Sequence, residues 1–270
     1  YSGATQVDAG ILRLNGNQSA AAGAVTVADG AGLAGVGIIG GPVAVQNGGR
    51  LLGQAGSVLT MAGLSLAPGA SLNLSLGTPS VNGLLQVNGA LTLDGVLNVT
   101  DAGGFGPGLY RLINYTGALT DHGLTIGTVP PVAATAQIQT TVANQVNLVF
   151  ATGTLPMWAG GSGTWSTGPA SGWGAVNGPP AGSWQPGNAI FGGTPGNVTV
   201  DTATGAVEVT GLQFATSGYS VGGGALTTRT AGTPLRVGDG TAAGAAMVAI
   251  VASPLTGPGG VSKTDLGTLT

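Results

Sequence analysis

Residues 25–35 read Val-Thr-Val-Ala-Asp-Gly-Ala-Gly-Leu-Ala-Gly, and residues 43–53 read Val-Ala-Val-Gln-Asn-Gly-Gly-Arg-Leu-Leu-Gly. Each stretch contains a short run with apolar residues at alternate positions, then Asp-Gly or Asn-Gly, then a second short run and a glycine. A period of two is typical of a half-buried strand. Asn and Gly tolerate the positive φ that a sharp turn requires. The two stretches therefore predict two copies of one strand–turn–strand unit.

Similar runs recur through the first hundred residues. Alignment on Thr5, Val25, Val43, Leu64 and Leu85 gives steps of 20, 18, 21 and 21 residues. Periods of roughly 20–30 residues are typical of solenoids, in which each unit adds one coil. The spacing therefore favours a parallel β-helix. The alternative is a β-sandwich of antiparallel hairpins, whose strands recur every roughly 8–12 residues, and the closely spaced runs between residues 85 and 99 fit it.

The composition agrees with an ordered β-structure that has many tight corners. Glycine supplies 54 of 270 residues, charged residues make up 6%, hydrophobic residues 43% and aromatic residues 4%. Disordered chains combine low hydrophobicity with high net charge, so this composition excludes them. Glycine suits the corners of β-helix coils, and a narrow interior favours small aliphatic side chains over aromatic ones.

The same numbers exclude several functional classes. A net charge of −3 with six Lys and Arg residues provides no basic surface for nucleic acid. With no cysteine, the chain has neither disulfides nor cysteine-based zinc sites. No run reaches the 18 or so apolar residues of a membrane span, so we expect no membrane insertion of this segment. The first residues also lack the charged and apolar regions of a signal peptide.

The distribution of residue types divides the chain into four segments. Alternating strand-like runs fill residues 1–102, predicted to be β-solenoid coils, and residues 103–154 continue with strand-like runs that include more aromatic residues. Residues 155–190 hold all four tryptophans among Gly, Pro and Ser, and we expect a loop or hairpin excursion there. Strand-like runs resume in residues 191–270, which predicts further coils that end in the middle of a repeat.

The end and the start of the chain resemble a known repeat. Residues 263–270 read Lys-Thr-Asp-Leu-Gly-Thr-Leu-Thr, and residues 1–12 read Tyr-Ser-Gly-Ala-Thr-Gln-Val-Asp-Ala-Gly-Ile-Leu. Placed tail before head, they resemble the autotransporter-associated β-strand repeat of Gram-negative passenger domains, in which K-T-x-x-G-T-L-T precedes Y-S-G-A-T-x-V-x-A-G-x-L. The stretch Gly-Leu-Tyr-Arg-Leu-Ile-Asn-Tyr at residues 108–115, and the spacing of the tryptophans, also resemble elements of large passengers.

The resemblance implies a fold, a location and a function. The fold would be all-β, a right-handed parallel β-helix, exported by type V secretion to the cell surface or the medium of a Gram-negative bacterium. The function would be that of a structural segment, a stiff stalk that supports adhesion and export, with a host or neighbouring-cell surface as the partner. An alternative is a self-assembling extracellular fibre or matrix built by end-to-end stacking. A third is a β-helical enzyme acting on polysaccharides.

Catalytic and metal-binding patterns are weak, so we expect neither an enzyme nor a cofactor. Residues 218–222 fit the G-x-S-x-G nucleophile elbow, but the single histidine, His122, precedes Ser220 instead of following it, and no helix signal follows the serine. Asp121 beside His122 is typical of a solvated turn. The acidic residues are scattered, and Asp239 stands alone between glycines, so no metal site is predicted.

The tryptophans are the best candidates for a recognition site. Trp158, Trp165, Trp173 and Trp184 lie in a Gly-rich polar context. Exposed tryptophan anchors interfaces and stacks on ligands. The other interpretation is a local packing cluster that closes the core beneath a loop, and the sequence leaves both open.

Overall fold

The first half of the chain forms short strands that stack in two sheets. A computed structural model describes residues 3–79, 83–130, 135–151, 157–158, 160–169, 171–177, 180–238 and 243–270. The strands of the first half are β1 Thr5–Val7, β2 Ile11–Leu14, β3 Asn17–Gln18, β4 Val25–Val27, β5 Gly32–Gly35, β6 Ile38–Val45, β7 Arg50–Gln54, β8 Leu59–Leu66, β9 Ser71–Leu76, β10 Leu85–Val87, β11 Leu91–Leu93, β12 Val96–Asp101, β13 Gly108–Tyr115, β14 Leu119–Asp121, β15 Thr125–Thr128, β16 Thr135–Gln139 and β17 Gln145–Ala151.

The chain passes back and forth between the two sheets, with one or two successive strands in the first sheet between those of the second. One sheet follows the order β1-β4-β6-β8-β10-β13-β17-β16, with β3, β11 and β14 beside this path, and the other follows β15-β12-β9-β7-β5-β2. Each strand therefore pairs with the strand one repeat away, and these pairs are parallel up to β13. We call this pair of sheets the first stack. The prediction of an all-β chain is confirmed, and its sheets are largely parallel.

A column of leucines shows why the first stack holds together. Registered pairs carry Leu12 onto Leu33, then onto Leu51, Leu72 and Leu97. The last four members of this column, from Leu33 to Leu97, are fully buried. Aliphatic side chains repeated at one strand spacing, about 4.8 Å, stack on one another in the interior. The period-two pattern of the sequence thus becomes a continuous apolar core between the sheets.

The predicted alignment is right as far as Leu64 and wrong at Leu85. The structure pairs Thr5 with Val25, Val25 with Val43, and Val43 with Leu64. Leu85 pairs instead with Leu59, and Leu91 is the residue that pairs with Leu64. The reason is that the long strand β8 supports two short strands, β10 and β11, so the alternating pattern occurs twice in one repeat.

Glycine is required where adjacent coils approach closely. Gly35 has a φ of +138°, and a Cβ at that position would overlap the carbonyl oxygen of Leu14 in the coil below. L-residues with a side chain rarely adopt this conformation. The high glycine content therefore follows partly from corners at which one coil lies directly on the next.

The first stack ends in antiparallel strands. β13 pairs with β17 in antiparallel fashion, and β17 pairs with β16 likewise. Strands β14 and β15 continue the parallel pairing beside them. The first sheet thus ends in three antiparallel strands, β13, β17 and β16.

The second half forms another pair of sheets, which we call the second stack. Its strands are β18 Met157–Trp158, β19 Gly163–Trp165, β20 Trp173–Gly174, β21 Pro180–Gly182, β22 Gly187–Phe191, β23 Asn197–Val200, β24 Val207–Phe214, β25 Ser220–Gly223, β26 Leu226–Thr228, β27 Thr233–Val237, β28 Val248–Val251, β29 Leu255–Thr256, β30 Val261–Thr264 and β31 Thr268–Leu269, with one 3-10 helix at Ala243–Ala246.

The second stack is also built from two sheets of short strands. One sheet contains β21-β20-β18-β22-β24-β26-β29 with β27 and β30, and the other contains β19-β23-β25-β28-β31. The pairs from β22 to β24 and onward are parallel, whereas β18, β20 and β21 pair in antiparallel fashion. Among the described residues, the structure holds no helix long and apolar enough to cross a membrane.

Candidate functional site

All four tryptophans lie together inside the start of the second stack. Trp165 and Trp173 sit on neighbouring sheets, and each of the four rings is at most 2% exposed. The Trp165 ring centroid lies 5.0 Å from those of Trp173 and Trp184, at interplanar angles of 62° and 77°. Edge-to-face contacts of this kind add to the stabilisation from burial. Rings buried to this extent offer no face on which a ligand could stack.

Local sequence and hydrogen bonds hold these rings in place. Position 172 is a glycine, and a Cβ there would overlap the indole of Trp158. The absence of a side chain therefore leaves room for the ring. The Nε1 of Trp158 donates to the carbonyl of Gly161 at 2.9 Å, and the Nε1 of Trp184 donates to the carbonyl of Glu208 at 2.8 Å. The other two indole nitrogens are buried without a hydrogen-bond partner among the described residues. Their desolvation offsets part of the stabilisation from the buried rings.

The aromatic core extends from the tryptophans along the stack. Phe191 and Phe214 lie parallel, with centroids 4.9 Å apart. The single hydroxyl hydrogen of Tyr219 is shared between two acceptors, the Gly192 carbonyl oxygen at 2.6 Å and the Thr194 carbonyl oxygen at 2.7 Å. Burial raises the pKa of Tyr219 above its ordinary value, so the phenol stays protonated and keeps this bond.

A glutamine side chain joins the two stacks. Gln213, on β24, accepts a hydrogen bond from the Leu109 N–H at 2.7 Å and donates to the Leu109 carbonyl at 3.0 Å. Both residues are 2% exposed. The side-chain amide of Gln213 thus makes the same two hydrogen bonds to β13 that the backbone of a neighbouring strand would make. An apolar cluster at the same junction contains Leu109, Val149, Met157, Val176 and Ile190. Sequence reasoning missed Gln213, because its partner is 104 positions away and no local pattern signals it.

A cleft of about 650 Å³ opens beside this junction. One wall is the turn between β16 and β17, and the other is the loop that contains Thr194 and Pro195. Met157, Trp158 and Val176 form its floor. None of the described residues that line it is ionisable. The sequence contained no signal for this cleft, since its walls come from two stacks.

The residues with catalytic potential lie apart. Ser220 begins β25, where it pairs with Asn197 and Ile250 in a regular sheet rather than in an elbow. His122 is exposed at the end of β14 in the first stack. The carboxylate of Asp121 accepts hydrogen bonds from the Gly123 N–H at 3.0 Å and the Thr140 hydroxyl at 2.8 Å.

Metal ligands are not gathered in the part of the chain that the structure describes. There, no three His, Asp or Glu side chains come together. Asp239 lies outside the described residues. Arg236 and Asp265 form a pair at 4.0 Å in the second stack. Burial lowers the pKa of Arg236, and the carboxylate of Asp265 opposes that shift.

Comparison with known proteins identifies the family. In an alignment 236 residues long that covers 80% of this chain, the sequence is 45% identical to a protein named "Adhesin BmaC autotransporter" from Brucella suis biovar 1 (strain 1330). The chain belongs to the autotransporter passengers. Such a passenger lies at the cell surface of a Gram-negative bacterium or in its surroundings. No family model matches the chain, and no solved structure matches it.

The match covers a small part of the relative. The chain spans 7% of the length of the Brucella protein. The likeness thus concerns one segment of that relative.

Proposed function

We propose that this autotransporter segment is a right-handed parallel β-helical stalk that supports adhesion and export of a surface protein. The observation that carries the proposal is the registered parallel pairing of β4, β6 and β8, each strand one repeat from the last. Parallel strands joined through a second sheet cross over in the right-handed sense in about 98% of cases.

The stack is suited to carry load along its length. Hydrogen bonds between strands join each coil to the next, and the leucine column from Leu33 to Leu97 runs through the interior. Stability in such repeats is close to a sum of terms from individual coils and their nearest neighbours. Each coil that folds outside the cell thus adds a favourable increment, which would help to draw the following chain outward.

The relative's name supports adhesion as the biological role. That protein is called an adhesin, and the partner we propose for this segment is a host or neighbouring-cell surface. We also propose that the segment has no enzymatic activity. Ser220 and His122, the residues that would have to cooperate in a hydrolase, belong to different stacks.

End-to-end fibre assembly is the weaker candidate. The name of the relative, an adhesin, favours attachment to a surface over fibre assembly. Light scattering at increasing concentration separates the two candidates. A stalk keeps a constant mass, whereas a fibre former gains mass.

The stalk proposal is tested in the full-length protein in its host. The double variant Val43→Asp plus Val45→Asp places two charges in the core of β6, where both valines are 1% exposed. We expect surface display and adherence to fall together. The control is Ala44→Asp, which adds a charge on the outer face of the same strand. Undiminished display of the double variant would remove the support for the export role.

A further inference from the structure

The cleft beside the junction is held open by buried hydrogen bonds. Gln139 is 2% exposed, and its Nε2 donates to the Val176 carbonyl at 3.2 Å and to the Met157 sulfur at 2.9 Å. Its Oε1 accepts from Asn147, whose Oδ1 in turn accepts from Arg111 at 2.7 Å. A fully bonded network of this kind fixes the floor before any ligand arrives.

The cleft combines an apolar floor with a polar rim. Met157, Trp158 and Val176 are buried and form the floor. The polar rim residues carry hydroxyl or amide groups and are Thr141, Gln145, Asn177, Thr194 and Thr216. Ligand sites typically have volumes of about 300–1,000 Å³ and lie preferentially at domain interfaces, with a few polar groups set in an apolar lining. The position between two stacks and the volume of about 650 Å³ match that description.

We propose that this cleft binds a neutral saccharide unit of a surface glycan. Hydroxyl and amide groups on the rim can exchange hydrogen bonds with sugar hydroxyls, and the more exposed apolar lining at Val142 and Pro195 can contact the C–H face of a ring. The described lining contains no ionisable side chain, and anionic groups are bound chiefly by Arg or Lys. The cleft therefore favours uncharged sugars over sialylated or sulfated ones. The inference rests on the proposed adhesive role, since it names what that role would recognise.

Methionine methyl signals in nuclear magnetic resonance provide the test. The chain has three methionines, and they report from different places. Met157 lies in the cleft floor, whereas Met61 is fully buried in the first stack. The protein is titrated with lactose, maltotriose and tri-N-acetylchitotriose, and with sialyllactose as the charged counterpart of lactose. We expect at least one neutral sugar to shift Met157 and leave Met61 unmoved, with at least tenfold weaker binding of sialyllactose if lactose is the ligand.

Two variants locate the binding. Thr194→Phe fills the cleft from its exposed rim, and we expect at least a tenfold loss of affinity. Thr92→Phe adds the same ring to the outer face of β11 in the first stack and serves as the matched control.

Several results would overturn the proposal. These are no Met157 shift with any neutral sugar at 10 mM or so, equal binding of a neutral Gly-Ser peptide, and unchanged affinity in Thr194→Phe. If bacteria that display the full-length protein still adhere while the purified protein binds none of the sugars, the cleft proposal fails and the adhesive stalk remains. Undiminished display of the β6 double variant, with sugar binding intact in the wild-type segment, would show the reverse: the export role fails and the cleft proposal stands.

Discussion

Removal of the Trp165 ring is expected to destabilise the second stack strongly. The side chain is fully buried and contacts the rings of Trp173, Trp184 and Phe191 at centroid distances of 5.0, 5.0 and 5.7 Å. A large aromatic side chain buries about 150–250 Å², which at about 25 cal/mol per Å² gives an upper bound of roughly 4–6 kcal/mol. Measured Trp→Ala losses in cores are about 3–5 kcal/mol.

The buried indole nitrogen reduces the expected loss of stability. The Nε1 of Trp165 is buried without a hydrogen-bond partner among the described residues, so its removal relieves a desolvation cost of about 1 kcal/mol or more. We therefore predict that Trp165→Ala lowers the free energy of unfolding by about 3 kcal/mol. Urea unfolding followed by the fluorescence of the three remaining tryptophans measures the change.

A matched substitution sets the baseline. Leu266 is 57% exposed, and Leu266→Ala should change the free energy of unfolding by no more than about 0.5 kcal/mol. If Trp165→Ala lowers the free energy of unfolding by less than about 1 kcal/mol, the ring is not packed as described, because truncation of a buried aromatic side chain typically costs about 3–5 kcal/mol. That result would reopen the Trp block as an exposed recognition surface.

Three further outcomes follow from other features of the structure. Gly35→Ala forces a side chain onto a backbone with φ of +138°, which alone costs about 1–3 kcal/mol. Its Cβ would also overlap the Leu14 carbonyl oxygen, so thermal unfolding should show a loss of at least that size. Gln213→Leu leaves the buried N–H of Leu109 without its partner, which costs about 1–3 kcal/mol, and hydrogen exchange should accelerate at that amide. Burial raises the pKa of both Tyr110 and Tyr219 in the folded state. Their contribution to stability is present below the unfolded pKa of about 10 and is lost as the pH rises above it, so alkaline urea titrations should show a fall that Tyr219→Phe reduces.

The sequence carried most of the information about the first stack. Its strands alternate apolar and small polar residues, and turn pairs such as Asp29-Gly30 and Asn47-Gly48 mark the corners, so strand positions and the spacing up to Leu64 could be predicted. The spacing failed at Leu85 because one long strand, β8, supports two short ones. Period-two patterning shows which residues share a face, but it does not count how many short strands one long strand accommodates.

The junction and the tryptophan block lay beyond sequence reasoning. The tryptophans could be located, yet their Gly- and Pro-rich surroundings have no period that fixes a face, and so burial could not be assigned. The antiparallel pairing of β13 with β17 and the bond between Gln213 and Leu109 depend on contacts far apart in the chain. The cleft takes its walls from both stacks, which makes it a property of tertiary structure alone.

The most direct test of the account is a nuclear magnetic resonance map of through-space contacts between strands in the first stack. Parallel coils predict contacts that link residue 26 with 44 and residue 44 with 65, with each strand skipping its neighbour in sequence. An antiparallel sandwich would instead give contacts between consecutive strands, such as β4 with β5. Observation of the second pattern would contradict the parallel stack, and with it the stalk.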